Sequence, residues 1–174
     1  MFDLQPLNLT RWISEHRHLL KPPVGNAQVW ANREFMVTVV GGPNARTDYH
    51  INEGEEFFHQ LEGGITLRLL VDGKRQELPI REGDIFLLPP NIPHSPQRPP
   101  NTVGLVLERQ RRAEELDSFL WICDHCDAEL YRETLHVTDI TTQLAPIFAR
   151  YWGEPAHHTC LSCGQVHIKP VRAT

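Results

Sequence analysis

Apolar positions along the chain follow two periods. Near the start, Trp12, Ile13, His16, Leu19 and Leu20 fall on one side of a helical turn. Asn8 or Thr10 can cap that helix, which runs to about Leu20 and is ended by Pro22-Pro23. The period then drops to two. A loop, PPVGNAQVW, carries Asn26 into a strand at Gln28 to Trp30, and a strongly β-branched strand follows from Phe35 to Val40, closed by Gly41-Gly42. Glu55 to Leu61, Ile65 to Val71, Gln76 to Ile80, Asp84 to Leu88 and Thr102 to Glu108 read as successive strands, with Asp72-Gly73 as a two-residue hairpin signal between two of them. Further on, a strand from Glu129 to His136 precedes a helix from about Thr141 to Tyr151. Fourteen prolines and eleven glycines are spread at strand-and-turn spacing, with no linker tract or repeat. This predicts an all-β protein, a sandwich or barrel of short strands, with the first helix as a packing or dimer element.

A chain of 174 residues supports one good core, or a core with a small appendage. The expected division is a barrel with its helix over residues 1–112 and an extension over 113–174. With 40% hydrophobic and 22% charged residues the chain reads as a soluble globular protein. A formal charge of −5 argues against nucleic-acid or anionic-membrane surfaces. The basic run Arg109 to Arg112 reads as a solvated strand end. No apolar stretch approaches the roughly 20 residues that span a bilayer, and the start lacks a signal pattern, so a cytoplasmic location is expected.

Two blocks carry chemistry: GPNARTDYHINEGEEFFHQLEG, from Gly42 to Gly63, and GDIFLLPPNIPHSPQR, from Gly83 to Arg98. The first holds His50 and, six positions on, Glu56; the second holds His94 after a Pro-rich turn. A histidine near a strand end is also an ordinary polar residue. Two neutral imidazoles and one carboxylate, however, fill three positions of an octahedral ion and leave three open, the facial triad of non-haem Fe(II) oxygenases. Glu55 falls on the opposite strand face from Glu56. Arg46 lies four before His50, Arg98 four after His94, and Glu108 ends the next strand. Two arginines near an open metal face suit an aromatic acid, since a guanidinium pairs with a carboxylate through two parallel bonds. Arg98 and Glu108 also read as a surface ion pair, and Asn26 as a turn residue.

The four cysteines fall as Cys123-x-x-Cys126 and Cys160-x-x-Cys163. Two such pairs in a chain expected to be cytosolic point to a tetrahedral tetrathiolate site for zinc or iron, closed and therefore structural or electron-storing. Gly164 gives the second knuckle room to turn, and His125, His157 and His158 are bystanders.

The two blocks resemble the paired motifs of the cupin superfamily, with Asp48-Tyr49-His50 in place of the usual His-x-His. Arg46, the string EEFFHQL, HSPQRP, RWISEH near the start and CGQVH near the end resemble the bacterial 3-hydroxyanthranilate 3,4-dioxygenases over nearly the whole chain. The resemblance implies a double-stranded β-helix barrel with a rubredoxin-like C-terminal appendage. It implies Fe(II) on His50, Glu56 and His94, and a second iron on the cysteines. Arg98 and Glu108 would hold the substrate carboxylate and its neighbourhood, and Arg46 and Asn26 would face dioxygen. The implied reaction opens the ring of 3-hydroxyanthranilate with O2 to 2-amino-3-carboxymuconate semialdehyde, the precursor of quinolinate, an activity of the kynurenine pathway and NAD biosynthesis. A homodimer is expected. The sequence departs from the family at His59, where an aromatic hydroxyl is usual, and at Ile51-Asn52, where acidic residues are. Other readings are a cupin acting on another ortho-aminophenol or aromatic acid, and a metal-dependent small-molecule sensor.

Overall fold

The structure is a computed structural model and describes residues 4–22 and 25–170. Twelve strands are laid out as β1 (Asn26–Gln28), β2 (Phe35–Gly41), β3 (Asn44–Ala45), β4 (Tyr49–Ile51), β5 (Glu56–Glu62), β6 (Ile65–Val71), β7 (Lys74–Ile80), β8 (Ile85–Leu88), β9 (His94–Arg98), β10 (Val103–Arg109), β11 (Asp117–Ile122) and β12 (Glu129–Leu135). They form two antiparallel sheets, ordered β1-β2-β10-β5-β8 and β12-β11-β4-β9-β6-β7, with β3 added to β9. From β4 to β11 the chain keeps passing between the sheets, which wraps it as a double-stranded helix of strands around one interior. This is the all-β cupin arrangement that the motifs imply. Among the described residues no helix is long and apolar enough to cross a membrane.

One end of the interior is filled by Phe58, Ile65, Leu67, Leu69, Ile80 and Leu88. Each such side chain contributes about 1.5–3 kcal/mol by leaving water. The β6–β7 hairpin turns through Asp72 at φ 51° and Gly73 at φ 72°, the pair of left-handed residues a two-residue hairpin needs, so the sequence signal there matches the geometry.

The first helix splits in two. Asn8 caps α1 (Leu9–His16), its side-chain oxygen accepting from the Arg11 amide at 2.9 Å, and a 3₁₀ turn continues over Arg17–Leu20. Ile13 and Leu20 cover Val39 and Val103 on the outer face of the five-stranded sheet. The stop assigned to Pro22-Pro23 lies in part outside the described residues.

Three parts of the architecture differ from the pattern-based expectation. The first strand is Asn26–Gln28, so Trp30 sits in the following loop, 46% exposed. The short strands that carry His50 and His94 fall in stretches too brief and too polar to show alternation. β11 is missing from the expectation altogether. Its sequence, DSFLWI, is buried on both faces, so it has no period of two to reveal it. β11 pairs with β4, and this carries the barrel sheet across the division expected at residues 112 and 113. Beyond β12, α2 (Ile140–Gly153) lies within two residues of its expected bounds. It packs Ile147 and Tyr151 on Phe119 and Trp121, with the Trp121 and Tyr151 rings stacked at 4.2 Å.

Candidate metal centre and substrate pocket

Strand register brings the three candidate ligands together. His50 and His94 are direct partners across β4 and β9, and Glu56 opens β5 in the facing sheet. One oxygen of Glu56, Oε1, lies 3.6 Å from His50 Nδ1 and 3.3 Å from His94 Nε2. The candidate donor atoms of the three residues all lie within 4.8 Å of one another, and all three residues are buried. Glu55, by contrast, is exposed on the other face of the chain.

The remaining ring nitrogens are engaged in ways that leave the inward ones as acceptors. His94 Nδ1 donates to the Ile92 carbonyl at 3.0 Å, which leaves the Nε2 lone pair facing Glu56. His50 Nε2 donates to Asp117 Oδ2 at 2.7 Å, which leaves Nδ1 facing the same carboxylate. Phe119 stacks on the His50 ring, centroids 5.1 Å apart, and blocks its rotation. Burial alone would raise the Glu56 carboxyl. The adjacent His94 and His50 rings, when protonated, outweigh it and hold Glu56 at about 2, and Glu56 in turn raises His94 against the pull of burial; loss of those ring protons is what frees the inward lone pairs. Two neutral nitrogens and one carboxylate with converging lone pairs fit a divalent transition metal.

Around this cluster the charges are unevenly matched. Arg98 is buried, and among the described residues its side chain makes one hydrogen bond, from Nη1 to the neutral Oε1 of Gln60 at 3.4 Å. Its Nε has no partner, and burial lowers the guanidinium to about 10. No carboxylate among the described residues lies within ion-pair distance of it. Space for it comes from Gly104 on β10, where an added Cβ would meet both Arg98 Nη1 and Gln60 Oε1 at 2.8 Å. The surface pair read for Arg98 and Glu108 therefore does not form. Glu108 instead lies opposite Glu56 in the β5–β10 register, and its Oε2 sits 2.7 Å from Arg111 Nη1, too far off the N–H axis to count as a hydrogen bond. Burial and the nearby Glu56 charge push the Glu108 carboxyl up to about 7.

Arg46 is tied to Asp48 through two contacts, Nε to Oδ1 at 3.0 Å and Nη2 to Oδ2. Asp48 is fully buried two positions before His50, just ahead of β4, and its carboxylate is spent on Arg46. The position therefore anchors an arginine here. Asn26 is placed by register in the row Asn26, Val40, Gly104, Gln60, on the sheet face that also bears Glu56 and Glu108. His59 takes the outward face, paired with Leu105 and Ile85.

The solvated strand end expected at Arg109 to Arg112 is corrected in one residue. Arg112 is exposed, but Arg111 turns inward with 7% of its side chain exposed, held by Glu108 and Asp117. Two buried carboxylates require a counter-charge there, which composition alone does not disclose. Asp117 and Arg111 are the site residues that the sequence reading misses.

The cysteines converge at the far end of the second sheet. Cys123 and Cys163 sulfurs lie 3.6 Å apart, Cys126 and Cys160 sulfurs 3.5 Å, and all four lie within 4.8 Å. The two knuckles share a backbone pattern. Asp127 and Gly164, each four residues after the first cysteine, have φ of 59° and 75°, and their amides donate back to the carbonyls of Cys123 and Cys160. Four thiols gathered without a disulfide fit a tetrahedral metal. Among the bystander histidines, His157 stacks on Tyr131 at 4.2 Å.

Comparison with known proteins gives the same direction. The profile of the family described as 3-hydroxyanthranilic acid dioxygenase matches residues 1–152. A 3-hydroxyanthranilate 3,4-dioxygenase of Paraburkholderia phytofirmans is 51% identical over 94% of this chain and 94% of its own. One from Burkholderia lata is 50% identical over 97% of each, and one from Xanthomonas campestris pv. campestris is 48% identical over 96% of this chain and 94% of its own. With a profile spanning most of the sequence and about half of the residues shared end to end with these relatives, the chain belongs to the 3-hydroxyanthranilic acid dioxygenase family.

Proposed function

We propose that this chain opens the ring of 3-hydroxyanthranilate with dioxygen, using Fe(II) held by His50, Glu56 and His94, and releases 2-amino-3-carboxymuconate semialdehyde. The observation that carries the reading is Arg98, a buried guanidinium with no carboxylate within ion-pair distance among the described residues. Such a group is costly unless a ligand supplies the missing anion. Arg98 shares the inward face of β9 with His94, four residues apart, on the order of 13 Å along the strand. A small aromatic acid is shorter than that span, and the long Arg98 side chain would take up the remainder, with the acid's carboxylate on Arg98 and its hydroxyl and amine towards the His50, Glu56 and His94 cluster.

Bound iron would supply the electronic link between the aminophenol and dioxygen, and would hold both reactants in one coordination sphere. The chain's own residues do the rest. Arg98 fixes the carboxylate and hence the rotation of the ring. Glu108 lines the place where the polar ring edge would lie. Arg46, steadied by Asp48, and Asn26 face the side left for oxygen. Apolar packing from Phe58 to Leu88 keeps bulk water from the far end of the interior.

The cysteine cluster holds a second metal in this reading, iron or zinc, and two Cys-x-x-Cys knuckles arranged for a metal favour a cytoplasmic setting. Exposed Phe35, Ile85 and Leu87 on the outer sheet face support a homodimer. The test is anaerobic loading with Fe(II), then addition of 3-hydroxyanthranilate and air. Oxygen uptake with appearance of the semialdehyde absorbance is expected. Protein that binds iron at the three-residue site yet consumes no oxygen would refute the assignment.

A further inference from the structure

We infer that Arg111 and Asp117 act as a positioning pair that sets the His50 ring and the Glu108 carboxylate together, so that one guanidinium builds both the metal-facing and the substrate-facing side of the site. The inference rests on the function proposed above.

Asp117 is fully buried and its carboxylate is saturated from two directions. Oδ2 accepts from His50 Nε2 at 2.7 Å and from Arg111 Nη2 at 2.8 Å, while Arg111 Nε lies 3.1 Å from both oxygens. The third nitrogen, Nη1, forms an ion pair with Glu108 Oε2 at 2.7 Å, held by charge and without the alignment of a hydrogen bond. A planar fork with donors on two edges can address two carboxylates at once, which a lysine head cannot.

The loop between β10 and β11 is built to hold Arg111 inward. Glu115 accepts from Arg109 Nη1 at 2.6 Å and from the Arg112 amide at 2.8 Å, and its own amide donates to the Arg112 carbonyl at 3.1 Å. These bonds close the chain on both sides of Arg111, whose side chain points inward to Glu108 and Asp117. Glu108 and Glu56 face each other across β5 and β10, so Arg111 also offsets a like-charge pair.

The experiment uses full-length protein with the cysteine site filled by zinc and Fe(II) added anaerobically. Chelator competition measures Fe(II) binding, and oxygen uptake measures KM and kcat for 3-hydroxyanthranilate. Asp117→Asn removes the charge that orients His50 and is expected to weaken Fe(II) binding by about 10–100-fold with KM changed less than about threefold. Arg111→Gln is expected to do both, weakening Fe(II) binding and raising KM by about tenfold. Arg111→Lys, which keeps the charge if Gln prevents folding, is expected to recover one of the two properties and not the other. Variants that lower the melting temperature yet keep wild-type Fe(II) affinity and KM would overturn the positioning role. Wild-type protein that binds Fe(II) without oxidising 3-hydroxyanthranilate would instead overturn the proposed function, and the Fe(II) affinities would still decide the role of the pair at His50.

Discussion

The two candidate metal centres are built on opposite principles. Each cysteine knuckle is local, with two thiols three residues apart on a turn that makes its own hydrogen bonds. Two such knuckles need only be brought near one another, and two of the four sulfur-bearing residues remain exposed. The His50, Glu56 and His94 cluster is the reverse. Its members lie on β4, β5 and β9, and no two are held by a common turn. Everything in it is buried, and its charges are balanced by residues as far off in sequence as Asp117. A local site is stable where it stands, whereas a register-built site can leave one charge without an ion pair, as it does Arg98 among the described residues.

His94→Ala should produce the largest effect. It removes one of three donors and leaves Glu56 with a single imidazole, so Fe(II) at this centre should be lost and turnover should fall to below about a thousandth of wild type. Metal analysis with oxygen uptake checks both. Retention of Fe(II) at full stoichiometry at this centre would mean that another residue completes it. A metal on the cysteines should be unaffected, because its four donors all come from the two knuckles and none from β9.

Arg98→Ala separates ligand charge from fold. Among the described residues no carboxylate pairs with the guanidinium and only the more distant Glu56 charge favours it, so its removal should not destabilise the substrate-free state and can raise its melting temperature. Substrate affinity should drop by about 100-fold, the scale of one lost charge-assisted pairing. Titration of anaerobic protein with 3-hydroxyanthranilate measures it. Unchanged affinity would remove Arg98 from the carboxylate site.

This asymmetry also sets what could be read in advance. The cysteine pairs were legible because their spacing is itself the geometry, and His50, Glu56 and His94 because each sits in a glycine-bounded block with turn punctuation. Arg111 and Asp117 were not legible. Arg111 lies in a basic run that looks like a solvated end, and only the antiparallel pairing of β11 with β4 puts Asp117 behind His50, 67 residues away. The strand carrying Asp117 hid for a related reason, since burial on both faces erases alternation. Asn26 marks the limit from the other side. A shift of the first strand by two residues, from Gln28–Trp30 to Asn26–Gln28, decides whether Asn26 is a loop residue or a member of the inner row.

Cys123→Ser acts on the other centre. Cys123 is buried and follows β11 directly, so losing its thiolate should release the metal and loosen the end of the sheet. The melting temperature should fall by several degrees, about 1–2 kcal/mol in a domain of this size, while initial turnover stays close to wild type. Metal content and melting behaviour both unchanged would defeat a tetrathiolate site.

Arg75→Gln is the finest probe of the contrast, because Arg75 belongs to the barrel and grips the knuckle. From β7 it donates to Asp127 Oδ1 at 2.6 Å, to Asp124 Oδ1 at 3.0 Å and to the Cys123 carbonyl at 2.5 Å. Asp124 in turn lies 3.5 Å from His167, whose Nδ1 meets the Tyr151 hydroxyl at 2.6 Å, so the same guanidinium reaches the segment just after the second knuckle through a chain of polar contacts. Its carboxylate partners are half or more exposed, and exposed pairs are worth at most about 1 kcal/mol. The knuckle's own backbone bonds survive the change. The expected result is therefore a rate of metal loss to a chelator raised a few-fold, a melting temperature lowered by about one to two degrees, and kcat and KM unchanged. An unchanged rate of metal loss would show that the knuckles hold their metal by local bonds alone and owe nothing to the barrel. A changed kcat would show that the two centres are coupled through β7, β6 and the register that joins Leu69 to His94.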